Sequence, residues 1–284
     1  MKKLILLLII TIYSFASSYN QQMLNNIKGQ DKNTTSFSFA IMGDNRDGDN
    51  ILQKIIQKIN KDNSINFAVN NGDLTPDGYK KEFRAYLKII KKSNKPLISV
   101  IGNHEIPWYD GKSNYENIFG KTNFTFKHGN SYFIVFDSSS KKITKKEFKW
   151  LKTKLKISQK YQHRFVITHV PLYDPREGKY KKGHSLKKLK QAKKLNDILD
   201  KYRVDMIFCS HIHFYYRGVW QKTPFIITGG AGAPLKHFKN SGFYNYVKVS
   251  IDGKKAEYKV IKIKAKAPGF IKIMEQSVKD SLNL

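Results

Sequence analysis

Cysteine is almost missing from this chain: Cys209 is the single thiol among 284 residues, so no internal disulfide can form. It sits in an apolar run and reads as a buried strand residue. Acidic residues are scarce too, 22 Asp and Glu against 52 Lys and Arg, which leaves a formal net charge of +30. Such a field draws anions: phosphorylated molecules, nucleic acid or an anionic surface. Lysine is scattered rather than clustered, however, so charge favours an acidic ligand without naming nucleic acid, and no nucleic-acid motif accompanies it. There is no internal repeat and no low-complexity tract. Beyond the first dozen residues no apolar run approaches the ~20 residues a membrane span needs. What the chain does have is 40% hydrophobic and 13% aromatic residues, enough for a sizeable core, which excludes disorder throughout.

The first residues have the pattern of a targeting segment. Lys2 and Lys3 precede the apolar run Leu4 to Ile12, and Ser14-Phe15-Ala16 follows with small residues where a signal peptidase would cut. The expectation is a cleaved signal peptide over about 1–18 and a mature chain outside the cytoplasm, periplasmic or secreted, with no transmembrane anchor. Residues 19–35 are polar and Asn/Gln-rich and read as a linker. Residues 36–264 read as one domain, and 265–284 as a patternless tail.

Within the domain, short apolar runs alternate with amphipathic stretches, the signature of an α/β fold. Strands are predicted at 37–42, 65–69, 96–101, 132–136, 165–168 and 204–209. Between them lie helical stripes such as Ile51, Leu52, Ile55, Ile56 and Ile59, and Leu186 through Leu199. Thr144 and Glu147 form a capping box that opens another helix. Phe214 to Ile263 alternates with period two, with turns at Gly229-Gly230 and Asp252-Gly253, and reads as an antiparallel meander. Asp44, Asp73, Asn103, His169 and His211 each stand just past the end of a predicted strand. Ligands of α/β sheets bind outside those ends, so these residues should converge on one rim. Two carboxylates, an amide and imidazoles, with no thiolate, suit transition metals such as Zn, Mn or Fe. With His213 they make six donors, more than one tetrahedral ion takes, which points to two ions acting on a phosphoryl group.

The blocks Gly43-Asp44, Gly72-Asp73, Gly102-Asn103-His104-Glu105, Thr168-His169 and Ser210-His211-Ile212-His213 resemble, in this order, those of calcineurin-like metallophosphoesterases. The resemblance covers residues 37 to about 233. It implies a four-layer α/β/β/α sandwich of two mixed sheets, and hydrolysis of a phosphate mono- or diester in a small molecule or polymer. It further implies that Asp73 bridges two divalent ions, that Asp44 and His213 complete the first site, and that Asn103, His169 and His211 complete the second. A metal-bridging hydroxide is then the nucleophile and His104 the general acid.

The chain departs from the family pattern in two places. The family commonly reads Asp-x-His where this chain reads Asp44-Asn45-Arg46, which removes one ligand from the first site. Arg46 becomes a candidate phosphate contact beside Asn103, or else a structural ion pair with Asp47 or Asp49. In the second block Leu74-Thr75-Pro76 follows Asp73, without the tyrosine that purple acid phosphatases use on ferric iron, which argues against a charge-transfer iron centre. The alternative is a catalytically weak anion-binding protein with one structural metal, binding nucleic acid or lipid phosphate. Plainer readings compete elsewhere. Glu105 orients a histidine or merely starts a helix, and His184 is read as a solvated loop residue. Trp108, Tyr109 and Tyr115 stack on a base or close the rim as a cluster. His128, His163 and His237 lie outside the blocks, and Phe214 to Tyr216 read as packing.

Overall fold

The computed structural model of the chain describes residues 17–30, 34–106, 110–178 and 180–264. The first sixteen residues, Trp108, Tyr109 and the expected tail 265–284 lie outside the described residues.

Two mixed sheets form the centre of the molecule. The first runs β11 (Lys255–Lys262), β10 (Asn245–Asp252), β1 (Ser36–Met42), β2 (Ile65–Asn71) and β3 (Leu97–Val100). The second runs β4 (Phe124–His128), β5 (Ser131–Val135), β6 (His163–Ile167), β7 (Met206–Cys209), β9 (Thr223–Thr228) and β8 (Tyr215–Trp220). Strands β1, β2 and β3 are parallel neighbours, as are β5, β6, β7 and β9. Their C-terminal ends therefore form rims on which loop residues can gather.

The sheets meet through Phe39, Phe67, Phe133, Phe165 and Phe208, all fully buried. Phe39 stacks on Phe67 at 5.3 Å and takes Phe133 edge-on at 5.2 Å, the geometries an aromatic quadrupole favours. Helices α2 (Asp49–Lys61), α3 (Lys80–Ile90) and α4 (Gly111–Phe119) cover the outer face of the first sheet. Helices α5 (Lys145–Ser158) and α6 (Leu189–Lys201) cover that of the second. This is the expected four-layer α/β/β/α sandwich. The isoleucine stripe of α2 faces inward as its spacing requires, and Thr144 caps α5 by accepting from the Glu147 amide at 3.2 Å.

Two expectations are corrected. Residues 19–30, read as linker, form helix α1 (Tyr19–Gln30), packed along β3. The Asn20 side-chain amide donates to Ser99 O at 2.7 Å and accepts from Ser99 N at 3.0 Å. Asn20 thus stands in for a neighbouring strand and closes the free edge of β3. Met23, Leu24 and the buried Ile27 fill the space beneath, a stripe hidden among Asn and Gln. The meander is likewise two separate hairpins. β8 and β9 pair antiparallel and join the second sheet, while β10 and β11 pair antiparallel and join the first. Period-two alternation reports each hairpin locally and carries no information on which sheet receives it.

Replacing Asn20 with alanine leaves Ser99 N–H buried without its partner, at a cost of about 1–3 kcal/mol. Urea denaturation should show that loss in Asn20→Ala; an unchanged midpoint would mean that α1 does not hold the edge of β3.

Candidate metal centre

Asp44, Asp73, His169 and His211 each stand two residues past the end of a strand, β1, β2, β6 and β7, and Asn103 opens a short 3-10 turn after β3. The chain turns sharply at these points. Asp44 (φ 62°), Arg46 (φ 43°), Asp73 (φ 52°) and His211 (φ 71°) all occupy the left-handed region. Residues with a Cβ stay there only when their surroundings over-determine it, and such strain collects at functional sites. Gly72 (φ 88°) supplies the turn before Asp73. Gly102 is needed for close approach, since a Cβ there would overlap the backbone nitrogen and side chain of Asp73.

The rim brings together the residues singled out in the sequence. Ligand atoms of Asp73, His169 and His211 lie within 4.8 Å of one another, as do those of Asp44, Asp73 and His213. Asp73 belongs to both groups. Asn103 Oδ1 lies 3.2 Å from His169 Nε2 and so adjoins the first of them. Carbonyl oxygens fix two of the imidazoles: Asn71 O accepts from His169 Nδ1 at 2.9 Å, and Pro234 O from His213 Nδ1 at 2.9 Å. In each ring Nε2 is left to ligate, the usual arrangement behind a metal-binding histidine.

The charges at the rim are out of balance. Burial pushes the Asp44 carboxyl well above its ordinary value, and the charge of Asp73 adds to this, although His169 partly offsets it. Among the described residues neither Asp44 oxygen has a hydrogen-bond partner, and neither ring nitrogen of His211 has one. Burial and the neighbouring His169 and His184 hold His211 far below the usual imidazole value, and burial brings His213 down to about 4. Burial would lower His169 as well, but Asp73 at 3.1 Å overcomes it and raises that ring to about 9. Buried carboxylates that face neutral imidazoles through unpartnered atoms suit divalent cations better than they suit one another. The donor set fits a metal site.

Glu105, left open by the sequence, proves to be the clasp of the rim. It is fully buried and accepts from the amides of Asp73 (3.0 Å), Leu74 (2.8 Å), Thr75 (3.0 Å) and Gly102 (2.7 Å). One carboxylate thus ties the loop after β2 to the loop after β3. Burial pushes it up to about 7, with the charge of Asp73 adding to the shift against the pull of the Gly102 amide. His104 lies beside it at the surface, 27% exposed, with Nδ1 on Pro76 O and Nε2 3.8 Å from the Asp73 carboxylate.

Arg46 pairs with neither Asp47 nor Asp49 among the described residues. Its Nε is buried without a partner, and its charge reaches Asp44 and His213. His184, read as solvated, is exposed and also lies flat on His211, with centroids 4.0 Å apart and planes 3° from parallel. Nothing in a loop sequence signals that contact. Tyr115 is buried and donates to Ser99 O at 2.6 Å, so it serves packing and not base stacking. His128 lies edge-on to Phe37 and Phe67 in the core, and His163 bonds to Gly253 O at 3.0 Å.

Glu105→Gln should loosen the rim. The amide offers one acceptor oxygen where two now serve four backbone donors, and each donor stranded costs about 1–3 kcal/mol. Metal affinity should fall about 10–100-fold, as it does when a residue supporting the ligands is lost. Calorimetric titration beside thermal unfolding checks this, and unchanged values for both would remove Glu105 from the account.

The calcineurin-like phosphoesterase family model matches residues 37–215. Purple acid phosphatase 13 of Arabidopsis thaliana is 30% identical over 173 residues, 51% of this chain and 30% of that protein. The chain therefore aligns with under a third of that relative's length. Among solved structures, the purple acid phosphatase PPD1 from yellow lupin (Lupinus luteus) seeds superposes with a TM-score of 0.65 at 18% identity, covering 81% of this chain and 52% of that one. GAP50, the anchor in the inner membrane complex of Plasmodium, gives 0.63 at 17% identity, covering 82% and 87%. Both share the fold. With the family's blocks gathered on one rim and its model matched over more than half the sequence, the chain belongs to the calcineurin-like phosphoesterase family.

Proposed function

We propose that this chain is a metal-dependent phosphoesterase that acts outside the cytoplasm and hydrolyses a phosphate mono- or diester. One observation carries the reading: Asp73 stands in both ligand groups, flanked by Asp44 oxygens and His211 nitrogens that have no hydrogen-bond partner among the described residues. Asp44, Asp73 and His213 would hold one divalent ion, and Asp73, Asn103, His169 and His211 a second. Divalent ions in such a pair supply Lewis acidity at the phosphate oxygens and a water acidic enough to attack near neutral pH. Zn, Mn and Fe all match the donor set. Among the described residues no helix is long and apolar enough to cross a membrane.

The remaining roles fall to side chains that bind the substrate and move its proton. Arg46 offers a fork of donors, its Nε without a hydrogen-bond partner among the described residues, and is the contact for a phosphate oxygen. The Asn103 amide, next to His169, is the second contact. Pro76 O holds His104 Nδ1–H, so the proton given to the departing alkoxide comes from Nε2 of the protonated ring. An imidazole suits that task because its ordinary pKa lies near neutrality.

His104→Ala tests the assignment. Metal content should be unchanged, and alkyl phosphate esters should slow by about 10²–10⁴-fold. Aryl esters, whose leaving group hardly needs a proton, should slow much less. Equal losses on both ester classes would contradict the role. Absence of turnover in the metal-loaded parent would favour the alternative, an anion-binding protein with a structural metal.

A further inference from the structure

Two cations beside the candidate centre make no ion pair among the described residues. Arg46 belongs to the side of Asp44 and His213. The other, Lys141, belongs to the side of His211 and follows from a different part of the chain.

The loop between β5 and α5 is fastened to the rim. Ser138 Oγ accepts from the Val170 amide, the residue after His169, at 2.7 Å. Lys141 N then bonds to Ser138 O at 2.8 Å and closes a turn in which Lys141 takes the left-handed conformation, φ 59°. A non-glycine residue at such an angle is held there by its surroundings. The surroundings here are the segment that carries His184. Lys187 N bonds to Lys141 O at 2.9 Å, and the Gln191 side chain clasps Ile143 N at 3.2 Å and Ile143 O at 2.7 Å. With His184 flat on His211, the stretch from His184 to Lys187 and the turn from Ser138 to Lys141 form one wall of the site.

Lys141 is half-buried in that wall, and its ammonium makes no hydrogen bond or ion pair among the described residues. Its charge reaches Asp73, His184 and His211. Burial and the like charge of Lys187 push its pKa down, with Asp73 pulling the other way. Two other cations show the matched arrangement. Arg176 holds Asp174 through Nε at 3.0 Å and Nη2 at 2.7 Å, and Lys112 holds Asp137 at 3.1 Å. A half-buried ammonium without an ion pair, with the exposed Lys187 as its neighbour beside a phosphate-cleaving centre, is what an anion would stabilise.

We propose that Lys141 and Lys187 form a second anion subsite that selects phosphate esters whose alcohol carries a further phosphate. The subsite rests on the phosphoesterase reading for its substrate class. Its geometry is independent of it.

Bisphosphates of linear alkanediols, from propane-1,3-diol to hexane-1,6-diol, test this beside the matching monophosphates. At the best spacing, kcat/KM for the bisphosphate should exceed that for the monophosphate about tenfold or more, as a bond to a charged group supplies. That is well beyond the factor of two expected from two equivalent esters. Lys141→Gln or Lys187→Gln should remove most of this ratio, and Lys141→Arg should keep it. A ratio near two at every spacing, or a ratio indifferent to both glutamine variants, would overturn the subsite. If neither ester is turned over, the phosphoesterase reading fails by itself. Calorimetric binding of the bisphosphates then judges the subsite: tighter binding by the parent than by Lys141→Gln retains it, and equal affinities reject it.

Discussion

Asp44 and Asp73 lie buried near each other where the loops of two sheets meet, and most of the local structure follows from that juxtaposition. Two carboxylates in one dry place cannot both stay ionised without nearby positive charge. His169 supplies part of it, drawn up to about 9 by Asp73. Asp44 is left displaced far upward, with neither oxygen hydrogen-bonded among the described residues. Divalent cations would resolve the imbalance. Neutral His211 and His213 then become useful ligands, whereas without cations the buried ring nitrogens of His211 have no hydrogen-bond partner among the described residues.

The scaffold holds this arrangement by covalent geometry and hydrogen bonds, since charge works against it. Four rim residues sit in left-handed backbone, Gly102 allows Asp73 to approach, and Glu105 gathers the amides of two loops. A buried polar chain reaches further. Asn45, next to Asp44, donates to Leu74 O at 2.8 Å and accepts from Asn70 at 2.7 Å. Asn70 donates to the Tyr86 hydroxyl, which bonds to the Ser99 hydroxyl, and the Ser99 backbone is clasped by Asn20 of α1. Each member would be costly to leave unpaired in the interior, so the rim and the helix at the sheet edge are stabilised together.

The legible parts of this protein are those governed by local rules. Strand–loop alternation reveals the rim, because a polar residue that follows a strand by two positions is visible in one dimension. The isoleucine stripe of α2 and the cap at Thr144 were legible for the same reason. Helix α1 escaped because its apolar residues are diluted by Asn and Gln, and its docking depends on Asn20 imitating a strand, a tertiary event. The two hairpins after His213 alternate alike yet join different sheets, a choice made by strand-edge availability. Glu105 and His184 were ambiguous because their meaning lies in what approaches them: backbone amides in one case, a stacked imidazole in the other. Lys141 cannot be distinguished in the sequence from the many other lysines; the fold makes it half-buried, with no ion pair among the described residues.

The central claim is that the two ligand groups sharing Asp73 bind two divalent ions that hydrolysis requires. Stripping the protein with a chelator and titrating Mn or Zn back, while bound metal and aryl phosphate hydrolysis are measured on the same samples, tests it most directly. The account predicts two equivalents bound per chain, with turnover returning as the second is taken up. Full turnover in the stripped protein, or saturation of both binding and activity at one equivalent, would contradict it.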